Sequence, residues 1–317
     1  MKVDSKQYSR IPEDLLNKII ERGYKKVTPE DQKVFDKYYD EMNNHWSSST
    51  CFVNLYAWHD TFPTYYKIFE DLIIAVNYDS TEGYISAIPF IGHYTEEEII
   101  DAMKVLEEDF EFFGAELMIY DVSRWMLPYY EATGIHFKVT DNREEMDYVF
   151  TPEDFEAGMD SQDDRYRYRY FMRRNEYEVV ELTPELADEC EEMMENLWCE
   201  FTDCNMCHYG CLKNVIDIIV KNIDTLNVEG ILVRVDGKAV GLSIVSVRNG
   251  LGVYQYKNAN NHIKGINEFL LRESFDRYMS DVTEINYTED MGVESLRRYK
   301  EHMAPHYSLE SKLILEV

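Results

Sequence analysis

The sequence predicts a mixed α/β (α+β) fold: two related units in tandem, each a mostly antiparallel sheet flanked by helices. Three observations carry this. The chain has 317 residues, more than one hydrophobic core usually serves. The order strand, strand, helix, strand, short helix recurs in its two halves. Between the halves, from Glu153 to Asn175, an acidic run gives way abruptly to alternating Arg and Tyr. The expected units are 1–155, with a helical N-terminal extension, and 156–317, opened by that basic and aromatic connecting segment.

The extension reads as helix because Leu15, Leu16, Ile19 and Ile20 recur at helical spacing between Ile11 and Arg22. Thr28-Pro29-Glu30-Asp31 then supplies a helix start with Pro in the first turn. Phe52 to Trp58 is an aromatic-rich packing segment. Leu72–Val76 and Tyr84–Pro89 are strand candidates, followed by a helix from Thr95 to Phe113 with Ile99, Met103, Leu106 and Phe110 on one face, closed by Gly114. Glu116–Tyr120 reads as a strand, Ser123 as the cap of a short helix bearing Trp125 and Tyr129, and Met146–Phe150 as the unit's last strand.

In the second half, Ile231–Val235 and Lys238–Val247 flank an Asp236-Gly237 hairpin turn. Gly252–Tyr256, a helix from about Ile263 to Met279, and Glu284–Tyr287 follow. A short helix then ends near Tyr299, and Leu309–Val317 is expected to close this second sheet.

Composition limits the partners. Sixty-one acids against 32 bases give a formal charge of -29, a field that repels polyanions unless a local basic patch overrides it. Nonspecific nucleic-acid binding is therefore not expected. The 14% aromatic share, with 25 Tyr and 15 Phe, provides the core that such a charged chain needs. The residues from Met1 to Arg10 include no signal-peptide core, and no stretch approaches the roughly 20 apolar residues of a membrane span, so a cytoplasmic protein is expected. Five of the six Cys lie between Cys190 and Cys211, which is not a disulfide framework. Cys204, Cys207, His208 and Cys211 share a helical face and fit either a metal or a small-residue core; no metal ligand set is assigned.

The candidate chemistry lies in the second half. Arg165-Tyr-Arg-Tyr-Arg-Tyr-Phe-Met-Arg-Arg174 suits either an edge strand or a helix. Its guanidinium groups, Arg169, Arg173 and Arg174 in particular, either clamp a phosphate or carboxylate or pair with surrounding acids. The junction Lys257-Asn-Ala-Asn-Asn-His-Ile-Lys-Gly265 precedes a helix, where unpaired N–H groups favour an anion, so Lys257, Asn258, Lys264 and Asn267 are candidate donor-binding residues. In the N-acetyltransferase superfamily this place resembles the coenzyme A pyrophosphate loop, whose glycine spacing this chain lacks. Tyr287, Asp290 and Tyr299 are the candidate proton-handling groups; Asp290 equally suits a helix cap. Nucleotide-binding, zinc-protease and serine-hydrolase motifs are missing.

Phe52–Trp58, Arg173-Arg-Asn175, Lys257 with Ala259, Ile266-Asn267, and Asn286-Tyr-Thr-Glu-Asp-Met-Gly-Val-Glu-Ser-Leu-Arg297 together resemble a bacterial family of unassigned function related to the C-terminal domain of phosphatidylglycerol lysyltransferase. The resemblance spans nearly the whole chain. It implies a tandem acetyltransferase-like (GNAT) fold and an acyl- or aminoacyl-transferase. The donor would be an aminoacyl-tRNA or an acyl-CoA, the acceptor a small molecule or peptide bearing an amine or hydroxyl, and tRNA the one nucleic-acid partner. Where that family has a Gly-Arg-Lys run before the Arg-Asn pair, this chain has Asp160–Asp164, and Tyr256 replaces an acid before Lys257. A noncatalytic small-ligand or peptide-binding module on the same fold is the alternative from a different class.

Overall fold

A computed structural model describes residues 10–42, 47–199, 211–303 and 306–317, with the side chains of Trp198 and Cys199 left aside. Its contacts divide the chain into two compact units, 144–309 and a first unit of 1–143 joined by 310–317.

In the first unit, α1 (Glu13–Glu21) turns Ile19 into the core. After β1 (Lys25–Lys26), Thr28 and Asp31 form a reciprocal capping box around a single 3-10 turn, which leads into α2 (Gln32–Glu41). Next come α3 (Phe52–Ala57), β2 (Thr64–Phe69), β3 (Leu72–Asp79), β4 (Tyr84–Ala87) and β5 (Ile91–Gly92). The 18-residue α4 (Glu96–Phe113) starts where the Thr95 side chain accepts from the Glu98 N–H and stops at Gly114, whose φ of 75° is left-handed. Then follow β6 (Met118–Ser123), α5 (Leu127–Glu131) and β7 (Lys138–Asp141). Ser123 occupies the expected cap position, but its hydroxyl makes no capping bond and is buried without a partner. The sheet runs β1-β2-β3-β4-β6, with β5 on β3. Only the β4–β6 contact is parallel, and α4 makes that crossover.

The second unit opens with β8 (Asp147–Phe150) and the capped helices α6 (Pro152–Met159) and α7 (Gln162–Arg174). It continues with β9 (Tyr177–Glu181), α8 (Ala187–Met194), α9 (Leu212–Lys221), β10 (Glu229–Val235), β11 (Lys238–Arg248) and β12 (Leu251–Ala259). The β10–β11 turn takes φ values of 50° at Asp236 and 74° at Gly237, the primed hairpin geometry that Asp-Gly predicts. The expected long helix is α10 (Ile266–Ser274) extended by one wide turn over Phe275–Met279. β13 (Glu284–Asn286), α11 (Glu294–Met303) and β14 (Ser308–Glu310) complete the unit. Its sheet runs β14-β8-β13-β12-β11-β10-β9. Again a parallel contact, β12 with β13, is bridged by a helix, α10, so the two units share one plan.

Two strands pair differently from expectation. Met146–Phe150, expected to close the first sheet, contributes β8, which lies antiparallel to β13 of the second. The last strand, β15 (Lys312–Glu316), expected in the second sheet, lies between β6 and β7 of the first. Leu313 and Leu315 are fully buried there; a strand with buried alternate residues reads the same whichever sheet receives it. The proposed cysteine cluster falls largely outside the described residues: Cys204, Cys207 and His208 are not described, while Cys211 is half-buried with a free thiol. Among the described residues no helix is long and apolar enough to cross a membrane.

Candidate functional site

The site grows from the divergence of β12 and β13. Their parallel register holds for only three residues each, Leu251–Val253 against Glu284–Asn286. β12 then runs on to Ala259, while the other strand ends and the chain turns at Thr288, where φ is 57°. A bulge at Gln255 re-aims β12 at this point, since Ile244 faces Tyr256 and Val245 faces Tyr254. Tyr254 and Tyr287 fill the divergence. Both are buried and their rings meet edge-on, 5.2 Å between centres. The Tyr254 hydroxyl is spent on the Leu271 carbonyl at 2.8 Å. Burial pushes both phenols well above their ordinary pKa, and at Tyr287 the adjoining Tyr299 hydroxyl adds to the effect. Tyr287 therefore keeps its proton at neutral pH. Further out on α11, the Tyr299 hydroxyl accepts from the Lys257 ammonium at 3.2 Å.

The turn between β13 and α11 is held from inside. Asp290 is fully buried; its carboxylate accepts from Arg297 at 2.8 and 2.9 Å, from Tyr148 at 2.7 Å and from the Gly292 N–H at 3.0 Å. The buried Lys300 ammonium donates to the carbonyls of Tyr287 and Glu289 and to the Thr288 hydroxyl. Asn286 in turn donates to the buried Asp147 at 2.8 Å. These bonds satisfy polar groups in a tight turn with left-handed φ at Thr288, Met291 and Gly292. The acid and the lysine thus fix where Tyr287 and Tyr299 point.

The Arg-Tyr segment is a helix, the second of its two expected forms. Gly265 explains how closely α7 meets α10: its φ is 89°, and a Cβ there would lie 2.1 Å from the Arg167 carbonyl oxygen. Phe171 and Phe269 pack 4.5 Å apart, centre to centre, in the resulting core. Beside α7 lies a pocket of about 130 Å³ lined in part by Asp160, Arg165, Tyr168, Arg169, Arg272 and Tyr299. Ion pairing, the bland expectation for the arginines, holds only for Arg167, which meets Glu268 at 3.1 Å. Arg165, Arg169 and Arg173 are exposed and have no acid partner among the described residues. Arg174 stacks over Tyr170 at 5.9 Å.

Of the residues singled out in the sequence, Tyr287, Tyr299 and Lys257 come together, and Arg169 joins Tyr299 at the pocket. Asp290 lies behind them in its turn. Lys264 is held 4.8 and 4.9 Å from the ring centres of Tyr166 and Tyr170. Asn267 donates to Asn261, and Asn258 is buried in β12, opposite Leu242. Sequence reasoning missed Lys300 and Arg272. Lys300 had one signal, its place three residues before the apolar Met303, on the same face of α11. Arg272 had none, because the acids around it, Glu156, Asp160 and Asp276 at 3.5–3.6 Å, come mostly from α6 and its end.

A repeated strand–helix–strand plan with parallel strands that part around buried tyrosines defines a tandem GNAT-like protein. The profile of the family described as "Phosphatidylglycerol lysyltransferase, C-terminal" matches residues 41–312, and the chain belongs to that family. Among solved structures, a conserved protein of unknown function from Bacteroides thetaiotaomicron is 20% identical with a TM-score of 0.81, over 93% of this chain and 99% of that one. The L-PGS of Bacillus licheniformis is 12% identical with a TM-score of 0.63, over 92% of each chain. FemX is 10% identical with a TM-score of 0.58, over 92% and 96%. At these identities the likeness is one of fold. No curated protein matches.

Proposed function

We propose that this chain transfers an aminoacyl group from aminoacyl-tRNA to an amine or hydroxyl acceptor, at the divergence of β12 and β13. The observation that carries this reading is the line Tyr287–Tyr299–Lys257 with Tyr299 on a pocket where Arg165 and Arg169, unlike Arg272, have no acid partner among the described residues. Membership of the lysyltransferase-related family supports the donor. A coenzyme A donor is less well supported, because Lys257–Gly265 lacks the glycine spacing of a pyrophosphate loop.

The chemistry asks little of the protein beyond positioning and proton handling. The acceptor nitrogen or oxygen attacks the ester carbonyl, a new C–N or C–O bond forms, and the ester C–O bond to the ribose breaks. The acceptor loses a proton and the ribose oxygen gains one. In this reading Tyr299 relays that proton, with the Lys257 ammonium 3.2 Å away to offset charge developing on its oxygen. Tyr287, kept protonated by burial, supplies a hydrogen bond to the oxyanion. The test is transfer of a labelled amino acid from each charged tRNA, and of a labelled acyl group from coenzyme A thioesters, to phosphatidylglycerol vesicles and to small amines. Transfer from one charged tRNA, falling about 100-fold in Tyr299→Phe, is expected. Failure of every charged tRNA would overturn the proposal.

A further inference from the structure

The pocket beside α7 carries charge of both signs. Asp160, Asp164 and Glu268 line it together with Arg165, Arg169 and Arg272, so acids and guanidinium groups balance. They do not neutralise one another by contact. Only Glu268 has a close ionic partner, Arg167, which lies outside the lining. Asp160 is 3.5 Å from Arg272, longer than a charge-assisted hydrogen bond of about 2.7–2.9 Å. Asp164 accepts the Ser161 hydroxyl at the start of α7 and meets no cation among the described residues. Arg272 has its acids at 3.5–3.6 Å, and its Nη1 is buried without a hydrogen-bond partner. A lone anion here would meet three carboxylates, and a lone cation three guanidinium groups. A zwitterion satisfies both sets, its ammonium on the acids and its carboxylate on the arginines. Size narrows the choice, because about 130 Å³ is small beside the roughly 300–1,000 Å³ of most ligand sites. The rest of the wall includes Met159, Leu271 and Met303, which suits a short aliphatic side chain.

From this we infer that the pocket is the acceptor subsite and takes a free α-amino acid with a small apolar side chain. Asp160 and Asp164 hold its ammonium, Arg169 and Arg272 its carboxylate, and Tyr299 stands in the same wall. The inference rests on the reading of the chain as an aminoacyltransferase, and it makes the product a dipeptide. The bound ammonium first releases one proton to water by way of Asp160. The resulting amine attacks the ester carbonyl, so that a C–N bond forms and the ester C–O bond breaks. The second proton passes through Tyr299 to the departing ribose oxygen.

The test is isothermal titration calorimetry of the full chain with L-alanine, alanine methyl ester and N-acetylalanine, with no donor present. Alanine is expected to bind with a Kd of about 1 mM or tighter. The ester and the N-acetyl derivative each lack one charge and should bind about tenfold more weakly. Asp160→Asn should weaken alanine while leaving N-acetylalanine unchanged, and Arg169→Gln should weaken alanine while leaving the methyl ester unchanged. Both side chains are exposed, so unchanged thermal melts will separate binding from folding. No heat with alanine would overturn the inference. So would equal binding of the methyl ester, which would assign the pocket to the donor's own aminoacyl group. If alanine binds as expected while no charged tRNA is used, the transferase falls and the subsite stands. If charged tRNA acylates vesicles while alanine neither binds nor competes, the subsite falls and the transferase stands.

Discussion

Asp290 illustrates how one residue type can suit two roles until its neighbours are known. By spacing it is an acid in a turn beside two tyrosines, as apt for a proton acceptor as for a cap. Its hydrogen bonds, two of them from Arg297, suit the structural role, because a carboxylate so satisfied and fully buried holds a turn together. Asp290→Ala leaves Arg297 and Tyr148 unmatched and should cost about 3 kcal/mol, measured by urea unfolding. Lys300→Met should loosen the same turn, lowering transfer activity more than it lowers the melting temperature. A third residue-scale expectation concerns pH. Arg234 donates to Glu189 at 2.7 and 2.8 Å and holds its carboxyl below the ordinary range. That contribution is complete above the unfolded Glu pKa of about 4.3 and is lost as pH falls through the depressed value. Unfolding free energies measured from pH 6 to pH 3 should therefore fall less steeply in Arg234→Met than in the parent chain.

Among the elements, those with local causes were legible in the sequence. Thr95 and Gly114 bound α4, and Asp236-Gly237 sets the β10–β11 hairpin, because caps and turns are written in adjacent residues. The Arg-Tyr segment left helix and strand open, since alternation of Arg and Tyr satisfies period 2 while Tyr168 and Phe171 satisfy the helical face. Packing against α10 resolved it. The site was legible to the extent of naming Tyr287, Tyr299 and Lys257, yet not their grouping, which depends on where β12 and β13 part. Gly265 was legible as a loop residue, not as the point where α7 and α10 nearly touch. Gly265→Ala, with a Cβ 2.1 Å from backbone and a left-handed φ, should destabilise the second unit by about 2–3 kcal/mol, and circular dichroism melts will report it.

At the scale of the whole molecule, the tandem plan is visible in sequence order, whereas sheet membership is not. A strand's pattern fixes which side chains are buried, and pairing between residues 118–123 and 312–316 leaves no local mark. Truncation after Leu309 should therefore unfold the first unit while sparing the second. Limited proteolysis with mass spectrometry would read this as rapid loss of fragments from 10–143 and survival of 144–309.

The position of β15 also orders events during synthesis. Strands β6 and β7 leave the ribosome some 170 to 200 residues before the strand that must lie between them, so the first sheet waits, split, while all of the second unit is made. For that interval the nascent chain carries two unsatisfied strand edges, which are the natural substrates of chaperones and of sister chains on the same message. The first unit begins folding early and completes its sheet last.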